Sequence, residues 1–181
     1  MTQNFPPSSS TSSALKAASI PDLRFLCART ISIHLFQVNI RWRLLSDVTK
    51  SLKQWLFNAR LPRQLKSAIH AGLGETFREV QRWGDKHCDM FLDDPKRVHR
   101  GEHLRMYFGC LVWKPTSIAV DDFLTAEKIM RDECADWPQM QFQFACAYAM
   151  VDYLESEFDK IRLRAFKRRL AGHPLYDFWL E

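Results

Sequence analysis

The chain has 181 residues, 46% hydrophobic and 13% aromatic, with 26 Lys and Arg against 21 Asp and Glu for a formal net charge of +5. That length favours one domain, and that apolar share supplies a core large enough to exclude disorder of the whole chain. The five cysteines, Cys27, Cys88, Cys110, Cys134 and Cys146, are odd in number and never in Cys-x-x-Cys spacing. This argues against a disulfide framework and a zinc ribbon, and fits reduced thiols in an intracellular protein, cytoplasmic or nuclear. No apolar run approaches the roughly eighteen residues of a membrane span, and the N-terminus lacks the secretory pattern, so no transmembrane segment is expected.

Residues 1–19 form a separate compositional zone, in which Pro6-Pro7 is followed by Ser and Thr at every position from Ser8 to Ser13. Such a segment buries too little apolar surface to fold and is expected to be a flexible tail, with a phosphorylated or docking tail as the functional alternative. Residues 20–181 read as a single all-α domain.

The first element is ambiguous. Leu23, Leu26, Cys27, Thr30, Ile31, His34, Leu35 and Val38 make a helical stripe, whereas Ile31, Ile33 and Leu35, then Val38, Ile40, Trp42 and Leu44, also alternate like strands. Helix to about Phe36, followed by irregular chain, explains the longer run. A second helix is expected over Ser46–Asn58 with Val48, Leu52, Trp55 and Leu56 inward. The third holds one face from Pro62 to Leu92 through Leu65, Ile69, Leu73, Phe77, Val80, Trp83, His87 and Phe91, with Gly72 and Gly74 as a point where it could divide. Asp93-Asp94-Pro95 ends it. A fourth segment, Glu102–Trp113, places Leu104, Phe108, Leu111 and Val112 inward, and a fifth is marked by Ala119, Phe123, Ala126, Met130 and Cys134.

Asp136 to Pro174 carries the clearest pattern and reads as one long helix. Met140, Phe144, Tyr148, Val151, Leu154 or Glu155, Phe158 and Ile161 follow one face, and Phe142, Cys146 and Ala149 make a second line, so the helix is expected to pack on two sides. Asp136 is the expected cap, Pro138 is compatible with the first turn, and Gly172 with Pro174 is the expected stop. The whole is then a stack of about six helices in antiparallel hairpins.

Two further patterns bear on architecture. Aligning Leu26-Cys27-Ala28 with Ala145-Cys146-Ala147 sets Phe25 on Phe144 and Leu35 on Leu154, as two related helices or as a chance match between amphipathic ones. The segment Phe142-Gln-Phe-Ala-Cys-Ala-Tyr148, preceded by Thr125-Ala-Glu-Lys128 and followed by His173-Pro-Leu-Tyr-Asp-Phe-Trp179, resembles a pattern in invertebrate helical-repeat proteins of uncharacterised activity. The resemblance covers residues 120–179 and implies an all-α fold, with no catalytic residues.

Chemistry-bearing motifs are weak. His99 and His103 stand four apart near His87, Cys88, Asp93 and Asp94, but Gly101 lies between them and Glu102 adjoins the second histidine, so the His-Glu-x-x-His zinc arrangement is missing and no metal or other cofactor is expected. His34 and His87 lie on apolar stripes and read as satisfied core histidines. No Gly-rich phosphate loop, nucleophile elbow or paired-carboxylate signature occurs, and no catalytic residue is assigned.

Charge is blocked. Lys160, Arg162, Arg164, Lys167, Arg168 and Arg169 fall within ten positions, residues 115–159 hold ten acids against Lys128 and Arg131, and residues 1–105 hold seventeen Lys or Arg against nine acids. Cations at a helix end can simply complement the helix dipole. The expected function is a non-enzymatic helical module that binds a protein partner, with Phe178 and Trp179 as aromatic anchors. The alternative is nucleic-acid binding through basic segments around 96–105, including Arg97 and Arg100, and 160–169.

Overall fold

A computed structural model describes residues 22–88, 102–156 and 172–180. The expected basic residues Arg97, Arg100, Lys160, Arg162, Arg164, Lys167, Arg168 and Arg169, the N-terminal tail and the His99 half of the histidine pair lie outside the described residues. Within them the fold is all-α, with no strand and no helix long and apolar enough to cross a membrane.

Helix α1 spans Leu23–Ile40, α2 Leu45–Asn58 and α3 Arg63–His87. The first helix continues past Phe36 because Phe36 and Ile40 are both buried, so packing extends the helical run. Its inward line is Ala28, Ser32, Phe36 and Ile40, which leaves Val38 and His34 exposed. The reading of His34 as a core histidine is therefore corrected: it sits on the solvent face. On α2, Val48, Leu52 and Leu56 are buried, but Trp55 is 45% exposed. It lies on the flank of the three-residue stripe and not in it.

Helix α3 runs unbroken through Gly72 and Gly74. Gly72 packs tightly against α1: a Cβ there would lie 2.6 Å from Ser32 Oγ and 3.3 Å from the Ala28 carbonyl oxygen. Ser32 Oγ donates to the Ile69 carbonyl at 3.3 Å, which satisfies a hydroxyl buried in the seam. Higher up, Phe36 meets Phe77 edge-on at 6.0 Å. Partners thus climb both helices in the same sense, and α1 lies more extensively against α3, parallel to it, than against its neighbour α2.

Glu102–Cys110 forms a 3₁₀ helix where a longer α-helical segment was expected. Leu104, Tyr107 and Cys110 are buried at a spacing of three, the period at which side chains of a 3₁₀ helix align. A bridge between Trp113 and Val120 then closes a tight loop, with Lys114 N–H donating to Ala119 O at 2.9 Å and Asp121 N–H to Val112 O at 2.8 Å. Helix α4, Asp122–Asp132, is capped by the Asp121 carboxylate, which accepts from Leu124 N–H at 3.0 Å.

The expected single helix from Asp136 to Pro174 is interrupted. Helix α5 spans Pro138–Ala147, α6 Val151–Ser156 and α7 Pro174–Leu180. Trp137, not Asp136, occupies the N-cap and makes no side-chain cap bond, whereas Pro138 is in the first turn as expected. At the other end Ala149 adopts φ 48°, Met150 N–H reaches Ala145 O at 2.9 Å and Ala149 N–H reaches Cys146 O. These two bonds and the left-handed residue between them make a Schellman stop with alanine in the place glycine usually takes. The two-sided burial of α5 holds: Phe144 and Ala145 enter the main core, while Phe142 and Cys146 join Tyr176 of α7 in a second small cluster.

The proposed internal alignment brings unlike environments together. Phe25 is partly exposed where Phe144 is buried, and Cys27 is exposed where Cys146 is buried.

Candidate functional site

Of the expected aromatic anchors, Phe178 projects from α7 at 73% exposure. Trp179 folds back on the second cluster and meets Phe178 edge-on at 5.1 Å.

The densest polar cluster surrounds His87 and joins α3, α4 and the end of α5. His87 is buried and stacked between Trp83, with centroids 4.2 Å apart, and Tyr148, at 5.8 Å. Nδ1 lies 2.6 Å from the Trp83 carbonyl, which can only accept, so Nδ1 carries the proton and Nε2 accepts from the Tyr148 hydroxyl. Burial lowers the imidazole pKa and keeps the ring neutral in this arrangement. Burial also raises the Tyr148 phenol, with the Asp122 carboxylate acting in the same direction.

Around the rim, Asp122 receives Arg82 at 2.8 Å and Lys86 at 2.5 Å, and Arg82 also holds Glu79 at 2.8 Å. Burial alone would raise the Asp122 carboxyl; the hydrogen bonds from Arg82 and Lys86 outweigh it and leave the pKa below its usual value. Glu79 Oε1 accepts Val120 N–H at 2.7 Å, which ties α3 to the loop before α4. Both ring nitrogens of His87 are engaged, so no lone pair is left for a substrate. The cluster is a fastener between helices, which makes the core reading of His87 correct for a reason the sequence did not show: its partner is sixty-one residues away.

Among the described residues no group of three or more His, Cys, Asp or Glu is arranged to hold a metal ion. Three of the five thiols, Cys110, Cys134 and Cys146, are buried, and burial raises the Cys110 pKa to about 11 and that of Cys146 to about 12, far from the thiolate character a nucleophile needs.

A cleft of about 700 Å³ lies at the open end of the α1–α3 seam. Ala28, Ala68, Ala71 and Gly72 form a floor of small residues, and Leu23, Phe25 and Leu65 stand at its mouth. Phe25 continues the inward line of Ala28, Ser32 and Phe36 but is 39% exposed, because among the described residues the chain no longer covers that face. Ile118 forms the third wall. It is held there by Arg29, whose Nε donates to Ser117 O at 2.8 Å and whose guanidinium also reaches Lys114 O. Arg24 and Glu75 carry opposite charges at the rim. Periodicity alone could not find this cleft, because it assigns Leu65 to a core face and leaves Phe25 off the helical stripe, without showing where the covering chain stops.

Compared with protein-family models, with curated proteins and with solved structures, the chain matches none.

Proposed function

We propose that this protein is a non-enzymatic helical module that docks an amphipathic helix of a partner protein in the α1–α3 cleft. The observation that carries this reading is the partial exposure of Phe25 on the same face that buries Ala28, Ser32 and Phe36. An inward-facing stripe that runs out into an open groove leaves an apolar strip to be covered. The α3 wall from Pro62 to Glu75 is about 20 Å long at 1.5 Å per residue, the length of a helix of three to four turns. A floor of small residues allows close approach of a second helix, with Leu23 and Phe25 as the lip for its apolar anchors. Arg24 and Glu75 favour a partner helix with charges of both signs flanking its apolar stripe. Membership of a helical-repeat group, suggested by residues 120–179, belongs to the same proposal.

The test is a photo-crosslinking amino acid at position 25 of the full chain, compared with one at exposed position 178. The expected result is one discrete protein crosslinked from position 25, lost on Ala71→Arg, and a synthetic peptide of its crosslinked segment that gains helicity on binding the purified chain. A crosslink insensitive to Ala71→Arg, or a peptide that binds without becoming helical, overturns the proposal.

A further inference from the structure

A second surface lies between α2 and the first turns of α3, and of the lining residues it shares Ser67 with the cleft. Lys50, Lys53 and Phe57 follow one another at spacings of three and four on α2, opposite the buried Val48, Leu52 and Leu56. Arg63, Lys66 and His70 repeat that spacing over the first turns of α3. The chain reversal between the two helices brings these lines together, and Lys53, Phe57, Arg63, Lys66 and His70 border one shallow groove of about 460 Å³. No acidic side chain lines it. Neither Lys53 nor Arg63 is paired with a carboxylate among the described residues, and Lys66 Nζ donates to the Phe57 carbonyl at 2.9 Å, beside the ring. That ring is 79% exposed. Between Arg41 and His70 the sequence has seven Lys or Arg against Asp47 alone.

Mutual repulsion among these cations goes unrelieved by the groove itself, so the surface is suited to a polyanion. We propose that the α2–α3 groove binds single-stranded nucleic acid, with phosphates on Lys53, Arg63 and Lys66 and a base stacked on Phe57. The cations Lys53, Arg63 and Lys66 flank one bare aromatic face in the groove, as phosphates flank a base along a strand. An acidic peptide would use the cations and leave the ring idle. A membrane surface would gain insertion from a single ring, since Leu56 beneath it is buried.

Fluorescence anisotropy of a labelled oligothymidylate of about 12 nucleotides, titrated with the full chain across a salt series, tests this. Three phosphate contacts at about 0.7 each predict a log–log salt slope near −2, and Lys53→Gln with Arg63→Gln is expected to flatten it by about 1.4. Phe57→Ala is expected to weaken binding about tenfold without changing the slope. Because all three positions are exposed, unchanged circular dichroism is expected for these variants. Phe25→Ala, in the α1–α3 cleft, is expected to leave both numbers unchanged, which separates this site from the protein-docking one. Absence of binding at about 50 mM salt, binding indifferent to Phe57→Ala, or equally tight binding of polyglutamate or anionic vesicles overturns the proposal.

Discussion

Gly72 and Ser32 meet where α1 crosses α3, and the space between them is smaller than a methyl group: the nearest atom to a Cβ at position 72 would be Ser32 Oγ, at 2.6 Å. The Ala28 carbonyl on the same side, at 3.3 Å, is backbone and cannot rotate away.

Gly72→Ala is therefore expected to destabilise the protein by about 1–3 kcal/mol, even though alanine is the better helix former by about 1 kcal/mol. Gly74, two residues on, has nothing within 4 Å of its would-be Cβ. Gly74→Ala is expected to stabilise by roughly 0.5–1 kcal/mol. Urea denaturation of the two variants checks the opposite signs; equal effects would show that the helices do not touch at position 72.

Removing the Tyr148 hydroxyl leaves Nε2 of buried His87 without its donor. Tyr148→Phe is expected to cost about 1–3 kcal/mol of stability, read from the shift in denaturation midpoint.

His87 also sets a pH dependence. Its folded pKa is lowered, first by burial, so below the unfolded value of about 6.5 the unfolded chain takes up a proton that the folded chain refuses. Stability is then fully present above about pH 6.5 and falls as pH drops toward the folded pKa, by at most about 1.4 kcal/mol per unit. Asp122 acts in another window: its folded pKa is lowered too, so its contribution is lost only below about pH 4, where the unfolded carboxyl titrates. Denaturation midpoints between pH 7.5 and 5.5 check the slope, which His87→Gln is expected to flatten.

Ala149 holds φ 48° at the Schellman stop of α5, a conformation that strains any side chain with a Cβ. Ala149→Gly is expected to raise stability by about 1 kcal/mol, against the usual penalty for introducing glycine. A lowered thermal midpoint in this variant would contradict the stop as described.

Thiol titration at pH 8 is expected to separate the five cysteines by burial. Cys27 is exposed and should react within the mixing phase, half-buried Cys88 more slowly, buried Cys146 more slowly still, and Cys110 and Cys134, buried in the main core, only after denaturant is added. Fast reaction of three or more thiols in the native protein would count against the buried placement of that set.

The sequence showed the helices wherever local spacing and burial agree. Val48, Leu52 and Leu56 on α2, and Ile69 to Trp83 on α3, lie where their three-and-four spacing put them. It failed where a distant partner decides the backbone. Nothing between Phe142 and Phe158 resembles a helix stop, and α5 ends because Met150 turns inward and Tyr148 reaches His87 across sixty-one residues. Glycine at 72 looks locally like a breaker and is instead a contact point, visible only once Ser32 is beside it. Charge was legible in part. The densest basic run lies at 160–169, outside the described residues, while the cations of the α2–α3 groove are spread over two helices and no linear run shows their convergence.

Helix α7 buries Tyr176 against Phe142 and Cys146 in a small cluster apart from the main core, which it also touches through half-buried Leu175. A seven-residue helix has little cohesion of its own, so its hold depends on those few contacts. It can therefore lift away without disturbing α1 to α4, and its amide hydrogens should exchange with solvent long before those of α3. Each such opening would uncover the outer face of α5 and bare the Cys146 thiol for as long as it lasts. The native chain would then spend a small fraction of its time with a second apolar strip in view, at a frequency that amide exchange can count.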